Sequence, residues 1–201
     1  MNLYIVKYRG DFGFIKPFTA VRDDLTFSQQ FLTESMVFGI ERKLFPELLS
    51  APYGISRIVG HRLSYHGVSQ QQEQIQPRGF NVKNAPKQKG KKLATRPKAV
   101  LTRGVLISPQ LFLAFKTRED AEVASRQHIC LARNEDMLFP DSEIIECTQE
   151  EFNSEERFSG FELVFEKNEQ AFMVGYNRFQ EAKSMYGWLR TVGTPVKEFY
   201  G

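Results

Sequence analysis

The stretch GISRIVGHRLSYHGVSQQQEQIQPRGFNVKNAPKQKGKKLATRPKAVLTRG, residues 54–104, holds eleven Lys or Arg against one acid, Glu73. The cations are Arg57, Arg62, Arg78, Lys83, Lys87, Lys89, Lys91, Lys92, Arg96, Lys98 and Arg103. Residues 1–53 balance six basic against six acidic side chains, and residues 105–201 carry ten basic against seventeen acidic. A chain of net charge +3 is therefore strongly polarised along its length. Neutralising successive phosphates releases condensed counterions, so a basic block of this kind is expected to serve as an arm for a polyanion. A solvated loop is the alternative, since like-charge runs often face water.

The middle of this segment, residues 79–93, is rich in Lys, Asn, Gln, Pro and Gly and cannot bury enough apolar surface to order itself. On one side, residues 55–65 mix strand formers with basic residues. On the other, residues 100–107 read as a returning strand, followed by a turn at Ser108-Pro109 and the apolar run Leu111 to Phe115. The basic segment is thus expected to be an insertion between two strands.

Working outward, residues 3–9 (LYIVKYR) read as a first strand ending at Gly10. A connection containing Gly13, Pro17 and Asp23-Asp24 follows, pinned by Phe12, Phe14 and Phe18. Thr26 and Thr33 are two possible helix starts. The spacing of Met36, Val37, Ile40 and Leu44 predicts an amphipathic helix ending before Pro46, with Gly39 marking close packing. Thr117 with Asp120 opens a second helix, and Ile144-Ile145 mark another strand. Residues 161–166 and 171–176 read as a hairpin before an aromatic and glycine-rich tail. This order predicts an α+β, ferredoxin-like (RRM-like) β-α-β-β-α-β sandwich over residues 1–150. It carries a long basic thumb insertion at about residues 56–104, and residues 151–201 form a C-terminal hairpin extension and tail.

With 201 residues and 41% apolar content, the chain has material for a core, and many of its 18 Phe are expected there. Cys130 and Cys147 show no metal-ligand spacing and are expected as reduced thiols. No cofactor or metal is expected. The N-terminus lacks the pattern of a signal segment and no stretch approaches eighteen consecutive apolar residues, so no membrane partner and a cytoplasmic location are expected. Phosphate-binding glycine loops, zinc signatures and nucleophile elbows are absent from the sequence.

His61, Tyr65 and His66 lie within the basic segment. Together with a lysine they offer the groups needed to cleave RNA through its 2′-hydroxyl, and the alternative is that the rings contact RNA or pack. Adjacent positions of a regular strand point to opposite faces, so Tyr65 and His66 cannot both address one phosphate. No catalytic residue is therefore expected. The sequence has no RRM-type octamer of sheet aromatics, which places RNA on the arm and its loops, where Gln70, Gln71, Gln72, Gln74 and Gln76 offer amides.

Four segments together resemble the Cas-five family of CRISPR-associated complexes: Arg9-Gly10-Asp11-Phe12, Ser35-Met36-Val37-Phe38-Gly39-Ile40, Arg103-Gly104-Val105-Leu106-Ile107-Ser108-Pro109 and Leu131-Ala132-Arg133-Asn134-Glu135-Asp136. The resemblance covers about the first 150 residues. It implies a noncatalytic subunit that grips the 5′ handle of the guide RNA and caps a filament of Cas-seven-type backbone subunits. It also implies a large Cas-eight-type partner and target DNA met only through the complex; one subtype of the family cleaves the precursor RNA. Arg133 joins Tyr65, His66 and the eleven cations as implied RNA contacts. Ala132 stands where the family usually has glycine, and its Cβ limits how closely a neighbouring backbone approaches.

The composition of residues 79–93 generates a first prediction. Their amide hydrogens should exchange rapidly in the free protein and be protected once RNA is bound; equal protection in both states would show that the segment is ordered by itself.

Overall fold

In the computed structural model, the described residues are 2–19, 24–75, 79–84, 90–96, 98–131 and 134–197. The first strand, β1 (Asn2–Arg9), is an interior strand of the largest sheet among the described residues. Its period-2 alternation sends Leu3 and Ile5 to one face and Val6 and Tyr8 to the other, and both faces are buried. The Tyr8 hydroxyl donates to Ala124 O at 2.8 Å.

Short strands β2 (Phe12–Gly13) and β3 (Leu25–Phe27) precede α1 (Glu34–Leu44) and a 3₁₀ turn, Pro46–Ser50. Thr26 lies in β3, and Thr33 is the residue that precedes the helix. Next come β4 (Ile58–Ser64), β5 (Gly67–Ile75), β6 (Asn81–Asn84), β7 (Lys92–Thr95), β8 (Ala99–Ile107) and β9 (Gln110–Phe115). Helix α2 (Arg118–Ala124) starts where Thr117 Oγ1 accepts the Asp120 amide, as its spacing predicts. The chain continues through β10 (Ile129–Cys130), β11 (Met137–Thr148), α3 (Gln149–Ser154), β12 (Gly160–Val164), β13 (Phe172–Asn177) and β14 (Lys183–Val192).

Eight strands form one sheet in the order β10-β11-β1-β9-β4-β12-β14-β13, with antiparallel neighbours. A second sheet gathers β2, β3 and β5 around β8, and β6 with β7 forms a separate two-stranded ladder. The main core, including Leu44, Phe45, Leu113 and Phe115, lies on the face of the large sheet that α1 and α2 cover. A smaller core around Phe112, Phe152 and Phe158 fills the other face.

These observations correct the expected fold. Of the described residues 49% are strand and 18% α- or 3₁₀-helix, and a large eight-stranded antiparallel sheet with three α-helices among them is not a compact ferredoxin-like α+β sandwich. Helical periodicity identifies α1 and α2, but the strands that widen the sheet come from the C-terminal region. The expected C-terminal hairpin is also corrected. Strands β12 and β13 do not pair with each other; β14, from the supposed tail, lies between them and pairs with both. Gly39 is not a site of close helix packing either, since a Cβ there would meet only Arg178 Nη2, at 3.9 Å.

The C-terminal strands join the sheet at the contact of β12 with β4, where the Arg62 side chain is fully buried. Arg62 Nη2 donates to Glu162 Oε2 at 3.1 Å and to Asn153 Oδ1 at 2.8 Å, and Nη1 donates to the Phe152 carbonyl. Its guanidinium also lies 4.0 Å from the Phe152 ring centroid. Gly160 permits the close approach, because a Cβ there would lie 2.8 Å from Arg62 Cβ. Breaking a buried ion pair leaves a desolvated charge behind. Arg62→Ala should therefore cost about 3–5 kcal/mol in urea unfolding, and a loss under about 1 kcal/mol would show that Arg190 alone satisfies Glu162.

Candidate nucleic-acid interface

The basic segment folds as a β-ribbon. Strands β5 and β8 pair without interruption from Gly67↔Ile107 to Ile75↔Ala99, a ladder about 30 Å long at strand rise. Beyond it, β6 and β7 pair from Asn81↔Thr95 to Asn84↔Lys92, which corrects the expectation that residues 79–93 form no ordered structure: backbone pairing orders 81–84 and 92–93 without a core. The ribbon root is braced by β3, which runs parallel to β8, and by the Ser28 amide donating to Gly104 O at 2.8 Å. Gly104 is required there: a Cβ would lie 2.2 Å from the Phe27 ring.

The ribbon's described cations are not equivalent. Lys83, Lys91, Lys92, Arg96 and Lys98 are exposed. They are interleaved with exposed apolar side chains, Phe80, Val82 and Leu93, and the Arg96 guanidinium lies 5.3 Å from the Phe80 ring centroid. The register gives each face of the ladder both kinds of group: Val82 shares one face with Lys92, and Leu93 lies opposite Lys83 on the other. Arg103 is half-buried near the root, 3.4 Å from Glu73 and over the Phe14 ring. Sequence reasoning named the cations but missed the apolar set, which the short alternation Phe80-x-Val82 signals.

Other sequence-based candidates fall elsewhere. Residues 58–64 are strand β4 of the large sheet, so the ribbon starts at Gly67 and the expected insertion boundary at residue 56 is corrected. Arg57 is held between Asp120 at 2.7 Å and Glu47 at 2.9 Å and stacks over Phe45, which ties the start of β4 to α2. Glu41, fully buried on α1, accepts the amides of Ser56, Arg57 and Ile58 at the same point. Arg62 belongs to the core, not to an RNA surface, because its side chain is fully buried and its Nη donors are committed to Glu162, Asn153 and Phe152. Tyr65 is likewise buried; desolvation pushes its hydroxyl up to about 12, and its backbone pairs with Val196. His66 is half-buried where the chain turns into the ribbon, its amide donating to Ile107 O at 2.8 Å. Arg78, Lys87, Lys89 and Arg133 lie outside the described residues.

The His61, Tyr65 and His66 team is not assembled. His61 stacks on Phe165 at 5.4 Å inside the protein, while Tyr65 packs near Phe161. The space beside His66, Ser64 and Lys197 is only about 40 Å³, too small for a nucleotide. Among the described residues, no three His, Cys, Asp or Glu side chains cluster as metal ligands, and no helix is long and apolar enough to cross a membrane. No family model matches this chain, and no curated protein matches it.

Burial lowers the His61 imidazole from 6.5 to about 4, against the opposing pull of Glu162. In the unfolded chain the ring takes a proton near pH 6.5, whereas in the fold it stays neutral until about pH 4. The stability it contributes is complete above pH 6.5 and is lost as pH falls toward 4, up to about 3 kcal/mol. Urea unfolding between pH 7 and pH 4.5 should show a shallower pH dependence for His61→Asn than for the unmodified chain. Identical slopes would place the ring in contact with solvent.

Proposed function

We propose that this protein is a noncatalytic RNA-binding subunit that grips single-stranded RNA along the β5–β8 ribbon and the β6–β7 ladder. The observation that carries this reading is that exposed Lys83, Lys91, Lys92, Arg96 and Lys98 alternate along the ladder with exposed Phe80, Val82 and Leu93, so that both of its faces carry cations and apolar groups. Cations neutralise the backbone, and aromatic and apolar faces accept bases regardless of sequence.

The finer reading is that the RNA is the 5′ handle of a CRISPR guide and that the chain caps the backbone filament of a type I surveillance complex. It rests on the Cas-five resemblance, and the packing supports it. Three of the four segments that carry the resemblance meet in space. The Gly10 amide donates to Pro109 O at 3.1 Å, and the Ser108 amide to Asp11 O at 2.8 Å. Arg9, Phe12, Ser108 and Glu135 line a common cavity of about 440 Å³. Segments distant in sequence are therefore neighbours at one end of the large sheet.

The test is to sequence RNA that co-purifies with the protein and to measure binding against salt. Replacing Lys91, Lys92, Arg96 and Lys98 with Ala should weaken binding and lower the log–log salt slope by about 0.7 per lost phosphate contact. Uniform short guides with a common 5′ end support the complete reading, and mixed RNA reduces it to a general RNA binder. An unchanged slope removes the ribbon from the interface. A single cut in precursor RNA incubated with chelator would overturn the noncatalytic assignment.

A further inference from the structure

Two cavities beside α1 meet at Gly39. One, of about 540 Å³, lies against Met36, Cys130, Leu131 and Tyr176. The other, of about 730 Å³, lies against Phe38, Leu49, Tyr53 and Phe179. Both volumes are in the range of small-ligand sites. Gly39, Lys43 and Arg178 line both cavities and form the saddle between them. The missing side chain at Gly39 keeps this saddle open, since its nearest neighbour is the Arg178 guanidinium.

Among the described lining residues the charged ones are the cations Arg42, Lys43 and Arg178, and besides Glu41 an acid beside the lining of the second cavity is Glu34, which meets Tyr53. Arg42 adds a second, independent observation: it is 7% exposed, stacks 4.5 Å over Phe38, and its Nη1 has no hydrogen-bond partner. Its nearest carboxylate, Glu41 at 3.6 Å, is engaged by three backbone amides of the 56–58 turn. Arg42 and Glu41 thus form a buried ion pair in the floor of the groove, and the positive charge of the walls is that of Lys43 and Arg178. The walls are also aromatic. Phe38 packs on Tyr53 at 4.5 Å and on Phe179 at 4.8 Å, while Phe179 and Tyr176 remain 43% and 56% exposed. An anion with planar groups on both sides suits this arrangement better than an acidic peptide, which brings charge without rings.

We propose that the groove seats one dinucleotide step of single-stranded RNA, with the phosphodiester on Lys43, one base against Tyr176 and the next stacked on the Arg178 guanidinium, which itself lies 4.8 Å over the Phe179 ring. The proposal rests on the RNA-binding reading above but uses a surface separate from the ribbon. It assigns roles to side chains that the sequence leaves more than 130 residues apart.

The experiment uses the full chain and a fluorescent ten-nucleotide oligouridine carrying 4-thiouridine. Lys43→Ala with Arg178→Ala should weaken binding about tenfold and lower the salt slope by about 0.7. Gly39→Gln, whose Cβ has room, should block the saddle while leaving the unfolding transition in place. Photocrosslinks should map to the peptide containing Tyr176 and Phe179, and Lys91→Ala with Lys92→Ala should leave those crosslinks present. If both groove variants bind as the unmodified chain does and crosslinks are confined to the ribbon, the groove proposal falls and the RNA-binding reading stands. If the unmodified chain binds no oligouridine, both fall. Displacement of the crosslink by an oligoglutamate peptide at RNA-like concentrations would overturn the proposal in favour of peptide docking.

Discussion

The buried Arg62–Glu162 pair is the constraint on which the width of the sheet depends. Strands β4 and β12 share the single registered pair Phe161↔Leu63, so side chains must supply much of the joint. Glu162 receives Arg62 at 3.1 Å and Arg190 at 3.2 Å, and Arg62 also reaches the carbonyl and side chain at the end of α3. Both ions lose hydration, and that cost is offset in part because both Arg62 Nη groups and the Glu162 carboxylate are hydrogen-bonded, while Arg62 Nε stays without a partner. Through this joint β12, β14 and β13 are placed. The turn after β13 then brings Arg178 and Phe179 onto α1, where Phe179 meets Phe38. The α1 groove is thus a consequence of an ion pair on another strand.

The basic residues divide by chemistry as much as by position. Arg57, Arg62 and Arg103 sit in ion pairs and over aromatic rings. Among the described residues, the exposed cations of the ribbon are four lysines and Arg96, itself near Phe80. A planar guanidinium satisfies several acceptors while stacking on a ring, whereas an ammonium is a strongly hydrated point charge. Among the described residues of this stretch, the structural and candidate RNA-binding charges therefore separate largely along the Arg/Lys distinction.

The same logic removes the histidine and tyrosine cluster from the ribbon. His61 and Tyr65 occupy β4 and the bridge just beyond it, inside the protein, and only His66 reaches the root of the ribbon. A hydrophobic surrounding that lowers His61 to about 4 makes it a neutral packing group at neutral pH.

Local order determined part of this protein without tertiary information: the period-2 pattern of β1, the helical spacing of α1, the Thr117 cap of α2, and a basic insertion closed by β8 and β9. Each depends on residues within one element, where periodicity and capping act. Only the tertiary structure decided which strands pair. A strand's alternation states that it has a buried face but not which neighbour it takes, so β14 appeared as a tail until β12 and β13 closed on it. Arg62 likewise looked like one cation among eleven, because a sequence records charge but not the Glu162, 100 residues away, that makes its burial tolerable.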